Sequence, residues 1–330
     1  MTSMSKDKIT YKSVPPSPDI AAKVFRLYER VYGDAQSFIN RWDWEFMQHP
    51  RSSEIMLHCA EMNDELVGMT VRHPVSITYR GKLIKACFAS NTMVVPETRG
   101  KGVVRELYRM AAENGTLQLS KGTATAMYSI LKKIGYKDIF PSTFQQIYLR
   151  PFRILLKRLT GMHASVTMNN FSPEERDEMR PVFSIPEDIS NLRSPDGIIK
   201  DADYLRWRYI EIPHKTYQIF VRRNSSKLVS MLVLRIAGTK VYIVDIIWDR
   251  EYRDEPATSL AFAKKAARRM GAYKMKAWST SSDVRNVLGK LNFIDKGESP
   301  HFSFFCTDPY LTLEWHSMNI EHGEGDIDYL

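Results

Sequence analysis

Apolar and polar positions alternate along the chain from Glu54, first over "IMLHCAEM", then over "ELVGMTVRHPVSITYR", then over "KLIKACFASNTMVV". Asn63-Asp64 and Arg80-Gly81 separate the three runs, and both pairs are residue types that turn a chain sharply. The pattern predicts an antiparallel meander. Between Val103 and Asn114 the period becomes helical, with Val104, Leu107, Tyr108 and Ala111 on one face and Gly115 placed to stop the helix. The stretch "MVVPETRGKGVV", Met93 to Val104, therefore joins a strand to a helix N-terminus.

The pattern also repeats at an offset of roughly 160 residues, the length of a whole domain rather than of a solenoid unit. Trp44-Glu45-Phe46 with Pro50 returns as Trp207-Arg208-Tyr209 with Pro213. Glu65-Leu66-Val67-Gly68-Met69 returns as Lys227-Leu228-Val229-Ser230-Met231, and Leu131 to Asp138 returns as Leu288 to Asp295. Three matches in one order predict a tandem pair of domains: residues 1–148, a basic linker 149–174, a second copy over 175–310, and an acidic tail 311–330. The Trp and aromatic pairs, kept in both copies, read as packing anchors. The linker reads as an interdomain helix and the tail as a free terminus.

Composition narrows the class. The 330 residues are 43% hydrophobic and 26% charged, with a net charge of +9. That is a globular composition, long enough for two cores, and its apolar runs are strand-sized, so no membrane insertion is expected. The N-terminus is polar, and the three cysteines, Cys59, Cys87 and Cys306, are widely spaced; cytoplasmic placement without a metal framework is expected. The cations are spread along the chain and not interleaved with aromatics, which argues against nucleic acid as partner. A small polyanion would use the same charge.

The stretch between Pro96 and Val104 has the chemistry for one. A helix's first turn presents unpaired N–H groups and the positive end of its dipole, glycines let the backbone approach closely, and Arg99 and Lys101 add charge suited to a diphosphate. The spacing is neither that of a P-loop nor that of a dinucleotide fingerprint. In the second copy the aligned residues are Arg253-Asp254-Glu255-Pro256, where Asp254 and Pro256 stand in place of Gly100 and Gly102. A carboxylate and a lost N–H both oppose anion binding, so only the first copy is expected to hold the ligand.

Hydrophobic-Val-x-Pro followed by Arg-Gly-x-Gly and an amphipathic helix resembles the coenzyme A pyrophosphate loop of the GNAT superfamily of N-acetyltransferases. The family's [Gln/Arg]-x-x-Gly-x-[Gly/Ala] reads here Arg99-x-x-Gly102-x-Val104, departing at its last position. Lys133, Gly135 and Tyr136 resemble the family's second cofactor-side motif. The resemblance implies a mixed α/β (α+β) fold of two tandem GNAT-like domains, each a mostly antiparallel, splayed sheet flanked by helices. It implies an acyl-CoA-dependent N-acyltransferase with acetyl-CoA or hydroxybutanoyl-CoA as co-substrate and no metal. The pantetheine arm would lie against Met93, Val94 and Val95, and the pyrophosphate against Arg99, Gly100, Lys101, Gly102, Val103 and Val104. An amine would attack the thioester carbonyl and the thiolate would leave, with rate gained largely from positioning and fixed N–H dipoles.

The proton-transfer groups are less determined. Where many relatives carry a tyrosine general acid, four residues before the motif's glycine, this chain has Leu131; Tyr128, a turn earlier, is a candidate, as is a purely packed role for it. His49 and His73 are candidate bases because of the range in which imidazole titrates, and Asn91, on the strand entering the loop, is a candidate for orienting the amine. For the acceptor, the length and tandem layout resemble enzymes that acylate nucleotide-linked amino sugars of surface polysaccharides, such as a dTDP-linked 3-amino-3,6-dideoxyhexose. A protein, peptide or aminoglycoside amine, or a noncatalytic CoA-binding role, are the alternatives. The sequence does not indicate an oligomeric state.

Overall fold

The computed structural model describes residues 8–112, 117–139, 143–150, 178–213, 215–297, 301–308 and 311–321. The first half runs β1 (Thr10–Val14), α1 (Pro18–Tyr32), α2 (Gln36–Trp42), β2 (Met56–Met62), β3 (Glu65–Tyr79), β4 (Lys82–Val94), α3 (Val103–Ala112), β5 (Leu117–Ser120), α4 (Thr125–Lys133), β6 (Lys137–Asp138) and β7 (Gln145–Tyr148). The second half runs β8 (Met179–Val182), β9 (Gly197–Ile198), α5 (Ala202–Tyr209), β10 (Tyr217–Asn224), β11 (Lys227–Ala237), β12 (Lys240–Trp248), α6 (Glu255–Arg269), β13 (Lys274–Ala277), α7 (Ser282–Lys290), β14 (Ile294–Asp295) and β15 (Ser303–Phe305). The expected meander forms β2, β3 and β4. Its turns work because Asn63, Asp64, Arg80 and Gly81 all take positive φ. Local chemistry also fixes α1: Ser17 caps its N-terminus, Pro18 opens it, and Gly33 closes it with φ 85.

Two mixed sheets result, as the fold class expected. One has the order β1-β2-β3-β4-β5-β15-β6 and the other β8-β10-β11-β12-β13-β7-β14, with β9 attached to β3. The orders correspond position by position, but β15 stands between β5 and β6, and β7 stands between β13 and β14. Each sheet therefore takes a strand of its main path from the other half of the chain, and the first also takes β9. Residues Leu66 to Val71 of β3 are all buried, so helices cover both faces of the first sheet. Gly68 marks the α3 side, since a Cβ there would lie 2.9 Å from Val103 Cγ1.

The repeated tryptophans meet across the two halves. Their rings stack with centroids 4.7 Å apart, Trp44 Nε1 donates to the Trp207 carbonyl at 2.8 Å, and Trp207 Nε1 donates to the Trp44 carbonyl at 2.7 Å. They are packing anchors, with each buried N–H satisfied by the other's backbone. Trp315, Met318 and Ile320 are buried against Trp278 and Phe302, so the C-terminal segment up to Glu321 belongs to a core. The expectation of a free tail fails there because these apolar side chains recur at helical and strand spacing under a sheet end. Residues 322–330, and 151–174 of the expected linker helix, lie outside the described residues.

Candidate active site

Strand β4 organises the site. It pairs with β5 in parallel only over Ala86 to Phe88, so from Ala89 onward its far edge has left β5 and the sheet is splayed. At the same place the β3–β4 register slips: Met69 faces Met93 but Val71 faces Ser90, so Asn91 and Thr92 oppose Thr70 alone. Asn91 absorbs this bulge with φ 47, which asparagine tolerates better than most side chains. Asn91 and Thr92 send their side chains to opposite faces of the strand.

On the α3 face, Thr92 Oγ1 lies 2.7 Å from Thr70 Oγ1 and 3.0 Å from the Tyr108 hydroxyl. Beyond Val94 comes a single helical turn, then Arg99, Gly100 with φ 79, and Gly102 with φ 81. A Cβ on either glycine would meet nothing within 4 Å, so backbone conformation, not crowding, demands glycine. The first bond of α3 runs from Glu106 N–H to Gly102 O at 3.1 Å. The N–H groups of Val103, Val104 and Arg105 thus precede the helical ladder. A cleft of about 820 Å³ lies between α3 and α4, lined by Tyr108, Tyr136 and Phe305 and by Arg105, Arg109 and Lys133. Val95 N–H donates to Val67 O at 2.9 Å. Strand alternation then turns the N–H of Val94, not those of Met93 and Val95, to the open edge. Lys101 is exposed, and Arg99 Nε donates to Val94 O at 3.3 Å.

On the opposite face, Asn91 points to a buried carboxylate that sequence reasoning had assigned no role. Asn91 Nδ2 donates to Glu45 Oε1 at 2.5 Å, Arg41 Nε lies 3.0 Å from Glu45 Oε2, and His73 Nε2 lies 3.3 Å from Glu45 Oε1. Arg41 Nη2 also donates to Asn91 Oδ1 at 3.1 Å. Glu45 sits in a π-helical turn, Asp43–Met47, that widens the end of α2 and aims its side chain at the bulge. Burial pushes the Glu45 carboxyl up, but the His73 and Asn91 N–H groups and the Arg41 charge outweigh it and hold the carboxyl below its ordinary value. It is an ionised, fully buried acceptor.

Of the four residues singled out for catalysis, His49, His73 and Asn91 come together here. The His49 ring centroid is 5.9 Å from that of His73, but Nδ1 of His49 accepts the Arg51 N–H at 3.0 Å. Burial, then the nearby His73 and Arg51, lower its pKa to about 3. Tyr128 is engaged elsewhere: its hydroxyl donates to Asp138 Oδ1 at 2.7 Å and its ring stacks on His301. His58, bonded to Ser13 at 2.8 Å, is likewise lowered to about 4, chiefly by burial. Both rings are neutral in the folded protein, whereas the unfolded chain takes up protons below about 6.5. Stability from these sites is full above that pH and is lost as pH falls toward 4 for His58 and 3 for His49. Each costs about 1.4 kcal/mol per pH unit in that window. Urea midpoints should fall between pH 6.5 and 4.5, and less steeply in His58→Gln.

In the second half, the cleft corresponding to that between α3 and α4 is also present, at about 980 Å³. Arg250, Arg253 and Lys290 line it, but so do Asp254, Asp283 and Glu314, and Pro256 occupies the first turn of α6. Among the described residues no group of three or more His, Cys, Asp or Glu stands together as a metal site, and no helix is long and apolar enough to cross a membrane.

Comparison with known proteins bears on this geometry. Residues 16–138 match the family model described as the acetyltransferase (GNAT) domain. This stretch is similar to that domain. A domain of this kind carries the chemistry of an acyl-CoA-dependent N-acyltransferase. The fold over the whole chain is similar to a probable N-acyltransferase from Enterococcus faecalis (TM-score 0.60, 12% identity, 91% of this chain and 73% of that one). It is also similar to a GNAT protein from Kribbella flavida (TM-score 0.59, 12% identity, 91% and 72%). A third similar structure is Saccharomyces cerevisiae N-myristoyltransferase with bound myristoyl-CoA (TM-score 0.56, 14% identity, 92% and 80%). At these identities the likeness is one of fold. Among curated proteins no sequence matches the chain.

Proposed function

We propose that the GNAT domain binds acyl-CoA on the α3 face of the splayed sheet and receives the acceptor amine on the α2 face. The two ligands would meet at the β4 bulge. The observation that carries this reading is the end of β4, where Thr92 reaches Tyr108 on one face and Asn91 reaches Glu45, beside His73, on the other. The residues fit such a donor: Val103, Val104 and Arg105 N–H groups toward the pyrophosphate, with Arg99 and Lys101 adding charge, and Val94 offering an open strand edge to the pantetheine amide. Glu45 fixes His73 with its proton on Nε2, leaving Nδ1 to take a proton from an incoming ammonium or amine. Tyr108, in the cleft beside Thr92, is placed to protonate the departing thiolate, a role Leu131 cannot fill. Residues 1–148 would carry this chemistry and 175–310 a degenerate copy, with Phe305 lent to the first cleft through strand exchange.

The finer acceptor reading is a nucleotide-linked amino sugar in surface polysaccharide synthesis. Its support is the resemblance in length and layout, together with the basic balance of the chain. The test is thiol release from acetyl-CoA and hydroxybutanoyl-CoA over a panel of amino-sugar nucleotides, peptides and aminoglycosides. Turnover with one acceptor class is expected, and Tyr108→Phe should lower kcat about 100-fold. CoA binding without thiol release from any acceptor would instead favour a noncatalytic CoA-binding protein.

A further inference from the structure

Three hydroxyls form a line on the α3 face that ends at the cleft. Thr70, fully buried on β3, has its Oγ1 2.7 Å from that of Thr92, which in turn lies 3.0 Å from the Tyr108 hydroxyl. Each oxygen carries one proton and can accept another, so the line can be polarised in either direction. Pointed inward, Thr70 donates to Ser90 O, Thr92 to Thr70 and Tyr108 to Thr92. Pointed outward, Thr70 donates to Thr92 and Thr92 to Tyr108, and the Tyr108 proton is no longer spent on Thr92. The contact given up on turning outward is the longest of the set, Thr70 Oγ1 to Ser90 O at 3.5 Å, so reversal costs little. Tyr136, edge-on to Tyr108 with ring centroids 5.8 Å apart, stands outside the line. Its hydroxyl donates to Gln118 Oε1 at 2.7 Å, and burial holds its phenol well above the ordinary tyrosine range.

The second half supplies an internal control. At the offsets that align the two glycine turns and the two meanders, Thr70, Thr92 and Tyr108 correspond to Leu232, Ile246 and Phe262. Leu232 and Ile246 are strand partners, and all three are buried in one apolar cluster. The fold therefore packs at this place without a single hydroxyl. All three are present in the half that has Gly100 and Gly102, and all three are absent from the half that has Asp254 and Pro256.

We propose that Thr92 is a positioning residue for release of the thiol: backed by Thr70, it donates to Tyr108 and so directs the phenol proton toward the leaving sulfur. The inference rests on the reading of Tyr108 as the acid. As the C–S bond breaks, its electron pair goes to sulfur, which takes the Tyr108 proton and leaves as the thiol. The phenolate accepts from Thr92 until water in the cleft restores its proton, and the proton given up by the amine passes from His73 to solvent. A hydrogen bond to the charged form favours that form, so Thr92 eases the transfer as well as aiming it. Threonine suits the task, because its branched side chain is stiff and holds the hydroxyl in place.

The test uses the full-length protein with acetyl-CoA and whichever member of the acceptor panel releases thiol fastest. Thr92→Val keeps the shape of the side chain and copies the apolar choice of the second half. It should lower kcat about tenfold, with KM for acetyl-CoA and the CoA-induced rise in Tm little changed. The alkaline limb of kcat against pH should move up by about one pH unit, since a phenolate without its donor is harder to form, while the acid limb stays. Arg105, Arg109, Lys133 and Tyr136 line the same cleft and are the same in both proteins, so that movement reads Thr92 alone. Thr92→Ser should restore most of the rate. In a Tyr108→Phe background, Thr92→Val should cost less than about twofold more, because the two act as one unit. An unchanged kcat in Thr92→Val beside a Tyr108→Phe protein that has lost its activity, an unmoved alkaline limb, or full additivity of the two changes would each overturn the proposal. A Tyr108→Phe protein with kcat intact would overturn the acid assignment, and thiol released from no acceptor the acyltransferase reading. Either result takes the proposal with it, and each is told apart from a failure confined to Thr92.

Discussion

Gly102→Pro is expected to abolish the stabilisation of the protein by CoA. In the unmodified chain, CoA at 100 times its Kd should add about 2.7 kcal/mol to folding, read as a rise in Tm. Gly102 holds φ 81, a value closed to proline, whose ring fixes φ near −65°. The substitution therefore turns the peptide units that open α3 away from the direction in which Val103, Val104 and Arg105 N–H groups now point. It imitates Pro256 in the first turn of α6. Gly102→Ala separates conformation from contact: a Cβ there meets nothing within 4 Å, so its cost is only that of a left-handed alanine, about 1–2 kcal/mol. The alanine variant should keep a reduced CoA shift and the proline variant none. A full shift in Gly102→Pro would remove this loop from the donor site.

The difference between that loop and the rest of the site marks what a linear sequence carries. The meander and the glycine turn are local: Asn63-Asp64, Arg80-Gly81 and Gly100-Lys101-Gly102 set backbone angles by residue type, whatever they later touch. The repeated Trp pair was legible as an anchor for a similar reason, because two copies kept it. Glu45 was not. Between Trp44 and Phe46 it stands in an aromatic run whose other copy carries Arg208, and its partners Arg41, His73 and Asn91 come from α2, β3 and β4. Only the π turn and the β4 bulge aim them at one another, and asparagine at φ 47 is no sequence signal of a bulge. The available hint was the charge change itself, Glu45 against Arg208, at a place flanked by two kept aromatics. The exchanged strands were hidden for a related reason: Gln145–Tyr148 and Ser303–Phe305 are too short for their patterns to name a partner, and each finds one in the other half. A fragment ending at Tyr148 would lack β15 and Phe302 and so expose Leu119, now buried in one cluster with Phe302.

Glu45→Gln should be the more damaging change for turnover, although it touches no substrate. The carboxylate is inaccessible and ionised, and in the proposed mechanism its work is to hold His73 in one tautomer while balancing Arg41. An amide of the same shape keeps the packing but cannot accept from Arg41, His73 and Asn91 together, so His73 loses the orientation that frees Nδ1. A loss in kcat of about 10²–10⁴ is expected, the range for a disabled general base, with the CoA-induced rise in Tm retained. His73→Asn should lose about as much, and the double variant little more, because residues acting as one unit are not additive. Removing the carboxylate outright sorts position from stability. Glu45→Ala leaves the largely buried Arg41 beside an empty site and should destabilise by about 3–5 kcal/mol, well beyond the glutamine variant. A Glu45→Gln protein with kcat within threefold of the original would show that Glu45 serves Arg41 alone, and the base would then have to be sought among groups that face the amine without it.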